Sequence, residues 1–531
     1  MTPSFETDQG ATELNVKTAL LNTLGADCVE LSPSEITYYS QDYYSRGMDV
    51  EAVLRPDSIE ALGRCVALAE ELGLAIFPRG GGYSYTSGYL ATQSGVLLDT
   101  SRMNRILEIN AVDNYVTVEA GCTWAKLDRA LREHGLRTPF WGPLSGLHAT
   151  VGGGISQGSI SLGSGEYGVS SESVLDMEVV VAGGRRIKTG ASGQPGHPPF
   201  FRNYGPDLTG LFCSDCGAFG IKAHITLRLI KRPRYTQGLS FGFDSFADCA
   251  EAAAKVATEG VAADNIGTSR RRLSDAANSG TLLDNVRTLL RIGRSGNGVF
   301  DGLKRMVRTV RAGREFATDA ECSMHYVVEG ATQAIVAAKA DVVRQAVGVL
   351  GTKIANTVPN AMRAEPFKDH AMFSSTGQRL VPPSAILPFS EIVDCNRDFF
   401  AALEDFEERM APFNMNVLIA TATVGTTGFL FETVIAWDDQ GDEFHHRHTA
   451  KSVMDSIAHI APSPEARKLA GEIRALMIET AFKHGGVHLQ IGKTYPYMRD
   501  RDAGATALLK TLKSHVDPSG KMNPGSLGLP L

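Results

Sequence analysis

Pro78-Arg79-Gly80-Gly81-Gly82-Tyr83-Ser84-Tyr85-Thr86-Ser87-Gly88 is the stretch on which the reading of this chain turns. It follows the apolar run Leu74-Ala75-Ile76-Phe77, which predicts a strand ending where the glycines begin. Upstream, Val53-Leu54-Arg55-Pro56 predicts another strand, and Ile59, Leu62, Val66 and Ala69 recur at helical spacing before Gly73. Asp57 and Glu60 have the spacing of a capping box at the start of that helix. The order is β-α-β, with a loop of small residues at the end of the second strand. Such a loop exposes successive backbone N–H groups, which can cradle phosphate oxygens. Taken alone it is weak, because a glycine-rich loop is more often a plain turn.

Two further clusters strengthen it. Thr150-Val151-Gly152-Gly153-Gly154-Ile155-Ser156 is followed by Gly163, Gly165 and Gly168, and Cys213-Ser214-Asp215-Cys216-Gly217-Ala218-Phe219-Gly220-Ile221 runs into a strand. None of the three lies between a strand and a helix at the dinucleotide-fingerprint spacing, and no Walker A sequence is present. All three read as loops where backbone approaches a ligand.

Working outward, Ile106 to Ile109 and Tyr115 to Glu119 form a hairpin pattern across Asp113-Asn114, and Met177 to Ala182 pairs with Arg185 to Lys188 through Gly183-Gly184. Thr123 is placed to cap a helix that ends at Gly135. Beyond Arg232-Pro233 the texture changes. Segments 331–350 and 464–483 have helical periodicity, while Val417 to Val424 and Phe429 to Trp437 read as an antiparallel pair in a βαββαβ-like unit. The turn-rich ending Asp517 to Gly525 is expected to return to the first domain. The fold class is α+β, with a first domain over 1–235, a second over 236–484 and a returning segment over 485–531.

A chain of 531 residues is long enough for at least two domains. Its net charge of -7 argues against a nucleic-acid partner. The opening MTPSFETDQG lacks the pattern of a signal peptide, no apolar run has the length of a membrane span, and the eight cysteines are scattered. These features together predict reduced thiols and a cytoplasmic protein.

The three clusters, in this order, resemble the flavin domain of the vanillyl-alcohol oxidase/p-cresol methylhydroxylase superfamily. The resemblance runs from about Val53 to Arg232 and includes Arg79 to Gly82, Met103 to Glu108, Val118 to Gly121, Thr150 to Gly154, Tyr204 to Phe212 and Gly217 to Ile221. Asn523-Pro524-Gly525 is similar to the family's returning tail. The resemblance implies a two-lobed PCMH-type FAD oxidoreductase with an α/β cap over the flavin, the cap sheet being antiparallel. It implies cofactor contacts from Arg79, Gly80, Gly81, Gly82, Tyr83, Ser84, Thr150, Gly152, Gly153, Ser156, Gly217, Gly220, Ile221 and Asn523. Tyr83 stands where relatives that link FAD in this loop carry a histidine, so non-covalent FAD is expected. His325, Tyr326 and His370 are the cap residues considered as alternative points of attachment.

The chain departs from two branches of that superfamily. Where the hydroxy-acid branch carries a histidine-rich metal motif, this chain has Ala422-Thr423-Val424-Gly425-Thr426-Thr427-Gly428-Phe429, so no metal is expected. Where the phenol-oxidising branch carries a tyrosine–arginine pair, this chain has Val487-His488. The first reading is oxidation of an aryl or allylic alcohol, or another hydroxylated aromatic. A D-2-hydroxy acid is the second, and a flavin-binding protein without turnover the third. His488 is the expected base, with Tyr495 beside it and Arg379 as a cation for a substrate anion or the reduced flavin. A lone histidine is also commonly a hydrogen-bonded core residue, and a lone arginine a surface ion pair. Cys213 and Cys216 read as small packing residues, and His445-His446-Arg447-His448 as a solvated turn. The arginine-rich segment 270–314 suggests a contact with a membrane surface or an acidic protein. Oxygen, a quinone or a carrier protein is the expected electron acceptor, and a homo-oligomer the expected assembly.

Overall fold

The computed structural model describes residues 6–269, 320–367 and 377–529, with side chains from residue 15 onward. The arginine-rich segment 270–314 and His370 lie outside the described residues.

The opening β-α-β forms as the sequence implies. Strands β1 (Val29–Glu30), β2 (Ala52–Leu54), β3 (Ala75–Arg79) and β4 (Gly95–Asp99) make one sheet in the order β1-β2-β4-β3, and β2, β4 and β3 run parallel. Helix Ile59–Glu71 buries Ile59, Leu62, Val66 and Ala69 against this sheet. Its cap is Ser58, whose side chain accepts from Ala61 N, and not the expected Asp57. The shorter serine side chain is in register with the first helical turn, whereas Asp57 lies one residue too early.

A second, antiparallel sheet contains β5 (Ile106–Asn110), β6 (Tyr115–Glu119), β8 (Val174–Val180), β9 (Arg186–Lys188) and β10 (Ile221–Arg228), in the order β5-β6-β10-β8-β9. Both expected hairpins are present in it. Thr123 caps helix Trp124–Glu133 by accepting from Lys126 N. The short pair β7 (Leu136–Arg137) and β11 (Ile230–Lys231) closes the lobe.

The cap is one eight-stranded sheet. Its strands are β12 (Tyr235–Phe243), β13 (Ala262–Ser269), β14 (Cys322–Gly330), β15 (Thr352–Lys353), β16 (Gln378–Val381), β17 (Ser384–Leu387), β18 (Asn416–Val424) and β19 (Gly428–Asp438). The order is β15-β12-β14-β13-β18-β19-β16, with β17 also on β19. The first four strands of that order, with helices Phe246–Glu259 and Gln333–Val347, form the expected βαββαβ unit, and β18, β19, β16 and β17 extend it. Alternation along β19 sorts its two faces. Phe429, Phe431, Ile435 and Trp437 are buried under the helices, while Leu430, Glu432, Val434 and Ala436 are only half-buried, on the opposite face.

That second face looks toward the first lobe. Leu380 of β16 packs with Tyr38, Tyr39, Phe77 and Phe444, and the tail returns to pair with β3. Ile76 N donates to Lys521 O at 2.8 Å, and Asn523 N donates to Ile76 O at 2.8 Å. Charges also tie the lobes. Arg137 of the first lobe and Arg363 of the cap both pair with the buried Glu329 of β14, and Arg363 also reaches Asp264 at 2.6 Å. Burial pushes the Glu329 carboxyl up, but the two arginines outweigh it and hold it below its ordinary value. The stabilisation from this group is therefore present above the usual carboxylate range and is lost as pH falls through the lowered value. Glu329→Ala leaves two buried guanidiniums short of a partner and is expected to cost about 3–5 kcal/mol. Denaturant unfolding of the variant checks this, and an unchanged midpoint would exclude a structural role for the network.

Candidate active site

A cleft opens between the glycine clusters. Its first wall is the loop after β3. Arg79 is buried beneath this loop, its guanidinium 4.5 Å from the Tyr39 ring centre and 5.1 Å from that of Tyr38. Its Nη2 donates to Tyr38 Oη at 3.0 Å, while its buried Nε has no partner among the described residues. Added Cβ atoms at Gly80 and Gly81 would collide with Thr150 Oγ1 and the His148 carbonyl oxygen. The loop backbone thus lies flush against the second wall. A cradle that excludes side chains and sits over a buried cation fits a pyrophosphate.

The second wall corrects the sequence reading. Thr150 to Ser156 is not a loop but the start of helix Val151–Gln157, capped by Thr150 Oγ1, which accepts from Gly153 N at 3.2 Å. Its glycines are needed for packing. A Cβ on Gly152 would lie 2.6 Å from the Ala120 Cβ, so the helix can rest on the end of β6 only without one. The third wall is Cys216, Gly217, Gly220, Ile221 and Lys222. Every residue expected to hold the cofactor lines this cleft except Asn523. Asn523 is buried behind the wall, where its Nδ2 donates to Gly88 O at 2.8 Å and Cys216 O at 2.6 Å. It also accepts from Lys493 Nζ at 2.7 Å, and burial pushes that lysine down to about 7. The tail therefore clamps the first and third walls together from behind.

Where the cap meets the cleft, the side chains change character. Tyr85, which lines the cleft, packs 4.6 Å from the Tyr43 ring. The returning segment places His488 flat on Tyr495, with ring centres 4.1 Å apart and planes 7° apart. Both are fixed by the backbone of Ser384 on β17: His488 Nδ1 lies 2.7 Å from Ser384 O, and Ser384 N donates to Tyr495 Oη at 2.9 Å. A carbonyl only accepts, so Nδ1 carries the hydrogen and Nε2 holds a bare lone pair. That Nε2 is buried and has no partner among the described residues. Burial keeps the imidazole below its ordinary pKa and raises that of the Tyr495 phenol. Gln490, two residues after His488, lines the cleft.

Arg379 is placed elsewhere, which corrects its expected role. It is 1% exposed and does not line the cleft, and its Nη2 donates to Tyr44 O at 2.9 Å and Asp442 at 2.6 Å. Its charge faces the buried Asp439 and the half-buried Asp442 where β16 meets the helix Glu443–His448. The histidine-rich segment is also corrected. It is helical, with His445 fully buried and His448 Nε2 2.9 Å from Tyr38 Oη, while His446 and Arg447 between them stay exposed as expected. Phe444, buried among Tyr38, Tyr43 and Phe77, anchors this helix and carries its neighbour His445 inward.

Comparison with known proteins fits this geometry. Residues 50–190 match the FAD binding domain model, and residues 232–527 match the model described as FAD linked oxidases, C-terminal domain. The chain belongs to the FAD-linked oxidase family. It is 29% identical to the glycolate oxidase subunit GlcD of Bacillus subtilis over 253 residues, 47% of this chain and 51% of the relative. It is 26% identical to D-lactate dehydrogenase [cytochrome] 1, mitochondrial, of Saccharomyces cerevisiae over 44% of this chain and 38% of that protein. The matched region thus spans about half or less of these relatives' length. The fold is shared with 4-ethylphenol oxidase from Gulosibacter chungangensis at TM-score 0.70 and 16% identity, covering 98% of both chains. It is shared with p-cresol methylhydroxylase at TM-score 0.68 and 16% identity, covering 98% of this chain and 97% of the other. The family is the one that the glycine clusters resemble. No described helix is long and apolar enough to cross a membrane.

For a member of this family, the lining around Tyr83 bears on how FAD is held. The Tyr83 ring stacks on His148 at 5.2 Å, and its hydroxyl lies 3.1 Å from His448 Nδ1. Among the cap residues considered for attachment, Tyr326 is buried in the core under the helices. His325 has Nδ1 2.9 Å from Ser240 Oγ and Nε2 3.3 Å from Ser323 Oγ. FAD held through backbone contacts alone is expected to stay in the supernatant after acid precipitation. Flavin fluorescence migrating with the denatured chain would show a covalent bond instead.

The sequence reading missed Glu432. It lies on the half-buried face of β19, and burial pushes its carboxyl up to about 7. A glutamate within Phe429-Leu430-Phe431-Glu432-Thr433-Val434 is the signal that was available: a charge inside an apolar strand.

Proposed function

We propose that this chain is an FAD-dependent oxidoreductase that oxidises a hydroxylated carbon of an aryl or allylic alcohol, with His488 taking the hydroxyl proton. The observation that carries the reading is the buried, unpartnered Nε2 of His488, held as an acceptor by the Nδ1 contact to Ser384 O. A substrate O–H is the donor that this lone pair lacks. Bound FAD supplies the hydride acceptor. The chain's own residues orient the alcohol, exclude water and move its proton. Tyr495 accepts from Ser384 N, so its own hydroxyl hydrogen is directed away from that backbone and toward the substrate oxygen. The aromatic rings of Tyr43, Tyr85 and Tyr495 suit a flat, apolar substrate body.

Because burial lowers the pKa of His488, its proton-accepting form persists below pH 6.5. The rate of flavin bleaching at saturating alcohol is therefore expected to stay level through neutrality and to fall only in more acidic solution. Stopped-flow rates across pH check this, and a fall centred above pH 7 would point to a different base.

Arg474 supports a second reading. It is buried, its Nη2 donates to Tyr85 O at 3.0 Å, and its guanidinium lies 5.9 Å from the Tyr495 ring centre. A cation in that place suits a carboxylate, and so a 2-hydroxy acid, like the glycolate and D-lactate in the names of the two relatives above. Bleaching by D-2-hydroxy acids and not by alcohols, with loss on Arg474→Met, would favour it.

A further inference from the structure

Cys28 and Cys65 are used by neither the flavin cleft nor the base, yet the fold brings their sulfurs to 3.6 Å across 37 residues of sequence. Both are held by regular structure. Gly25, at φ +83°, ends helix Glu6–Leu24 and turns the chain toward β1. Cys28 is fixed at the end of that turn, its N donating to Gly25 O at 3.1 Å and its O accepting from Arg55 N at 2.8 Å. Cys65 lies on the buried stripe of helix Ile59–Glu71, between Leu62 and Ala69, and is 0% exposed. Cys28 packs on the edge of the same apolar cluster and is half-buried. Neither residue lines the flavin cleft.

A buried cysteine is commonly a small packing residue, and the surroundings of Cys28 are what set this pair apart. The Cys65 thiol donates to the Cys28 sulfur, which lowers the Cys28 thiol to about 7 and raises that of Cys65. Burial opposes the lowering at Cys28, the Arg55 backbone and the Arg102 charge add to it, and Asp57 works against it. Arg102 is anchored beside the turn, its Nη1 donating to Asp27 O at 2.5 Å. A partly exposed thiol in positive surroundings, with a second thiol in contact, is the arrangement that peroxide oxidises and a neighbour resolves. The other cysteines lack it. Cys213 is also half-buried, but burial pushes its thiol up to about 11. Cys249 and Cys322 form a second pair, but each is 2% exposed within the cap core and closed to a reagent in solution.

We propose that Cys28 and Cys65 form a peroxide-responsive modification site, in which Cys28 takes the oxygen and Cys65 resolves it to a disulfide. The Cys28 thiolate attacks hydrogen peroxide. An S–O bond forms, the O–O bond breaks and hydroxide leaves, so Cys28 becomes a sulfenic acid. Cys65 then attacks that sulfur. An S–S bond forms, the S–O bond breaks, and the departing hydroxide takes the Cys65 proton as water. In sum the two thiols give up two electrons and two protons, and one peroxide becomes two waters. The sulfurs close from 3.6 Å to about 2.05 Å, a change that side-chain rotation and a small shift of the turn supply. The product ties the turn before β1 to the helix before β3, and a thiol reductant reverses it. The site stands independently of which substrate reduces the flavin.

The test is treatment of the FAD-loaded protein with hydrogen peroxide at neutral pH, then alkylation of the remaining thiols and mass spectrometry of the unreduced digest. The expected first product is a linked pair of peptides holding Cys28 and Cys65, lighter by two hydrogens and separated again by dithiothreitol, with the flavin absorbance unchanged. It is expected to form at least about tenfold faster than any oxidation of Cys213, whose thiol is far less ionised at that pH. Cys65→Ala is expected to stop at the Cys28 sulfenic acid, trapped there by a 1,3-dicarbonyl reagent. Cys28→Ala is expected to leave Cys65 reduced under the same treatment. Cys28 and Cys65 found reduced when peroxide has already oxidised other cysteines overturns the proposal, as does unchanged oxidation of Cys65 in Cys28→Ala. The wild-type map decides the matter even where a variant fails to fold.

Discussion

His488→Gln is expected to slow anaerobic flavin bleaching by about 10²–10⁴-fold while leaving FAD bound. Glutamine keeps a side chain of similar reach but does not accept a proton at neutral pH. The loss should lie in the rate at saturating substrate more than in substrate affinity, since the imidazole Nε2 is assigned to proton acceptance in the transition state. FAD retention follows from the geometry, because His488 does not line the cleft that holds the glycine clusters. An unchanged bleaching rate would remove His488 from the chemistry and leave Tyr495, stacked 4.1 Å away, as the next group to test.

Gly81→Ala is expected to weaken FAD binding by about 10–100-fold. An added Cβ at this position collides with the His148 carbonyl oxygen, so the loop must move away from the helix that forms the opposite wall. Overpacking of this kind costs roughly 1–3 kcal/mol, and each 1.4 kcal/mol is a factor of about ten in affinity. The apoprotein should remain folded, since the loop lies at the end of β3 and outside the sheet cores. Titration of apoprotein with FAD, followed by flavin fluorescence, gives the number. Equal affinity in the variant and the wild type would mean that this loop is not the phosphate cradle.

The cofactor wall was legible in the sequence because its chemistry is backbone chemistry. Glycines that let two main chains touch leave a record in the residue types themselves, and Arg79 to Gly82, Gly152 and Gly217 meet in space as that record implies. What could not be read was conformation within a cluster. Thr150 to Ser156 has the composition of a loop, yet tertiary packing on Ala120 makes it a helix, overriding the low helix propensity of glycine. The cap side chains were less legible for a different reason. His488 was found from its place in the returning segment, but its tautomer depends on Ser384, 104 residues away. Arg379 and His445 looked available in sequence and are buried in structure, because Asp442 and Phe444 draw them inward. Glu432 gave only the weak sign of a charge in an apolar strand. Its place opposite Ser384 comes from a strand register that no local pattern specifies.

The most direct test of the central claim is anaerobic mixing of the FAD-loaded protein with a panel of aryl alcohols, allylic alcohols and D-2-hydroxy acids, following the flavin absorbance. Rapid bleaching by an aryl or allylic alcohol is the predicted result. A flavin that stays yellow with every alcohol, or that bleaches with hydroxy acids alone, would contradict it.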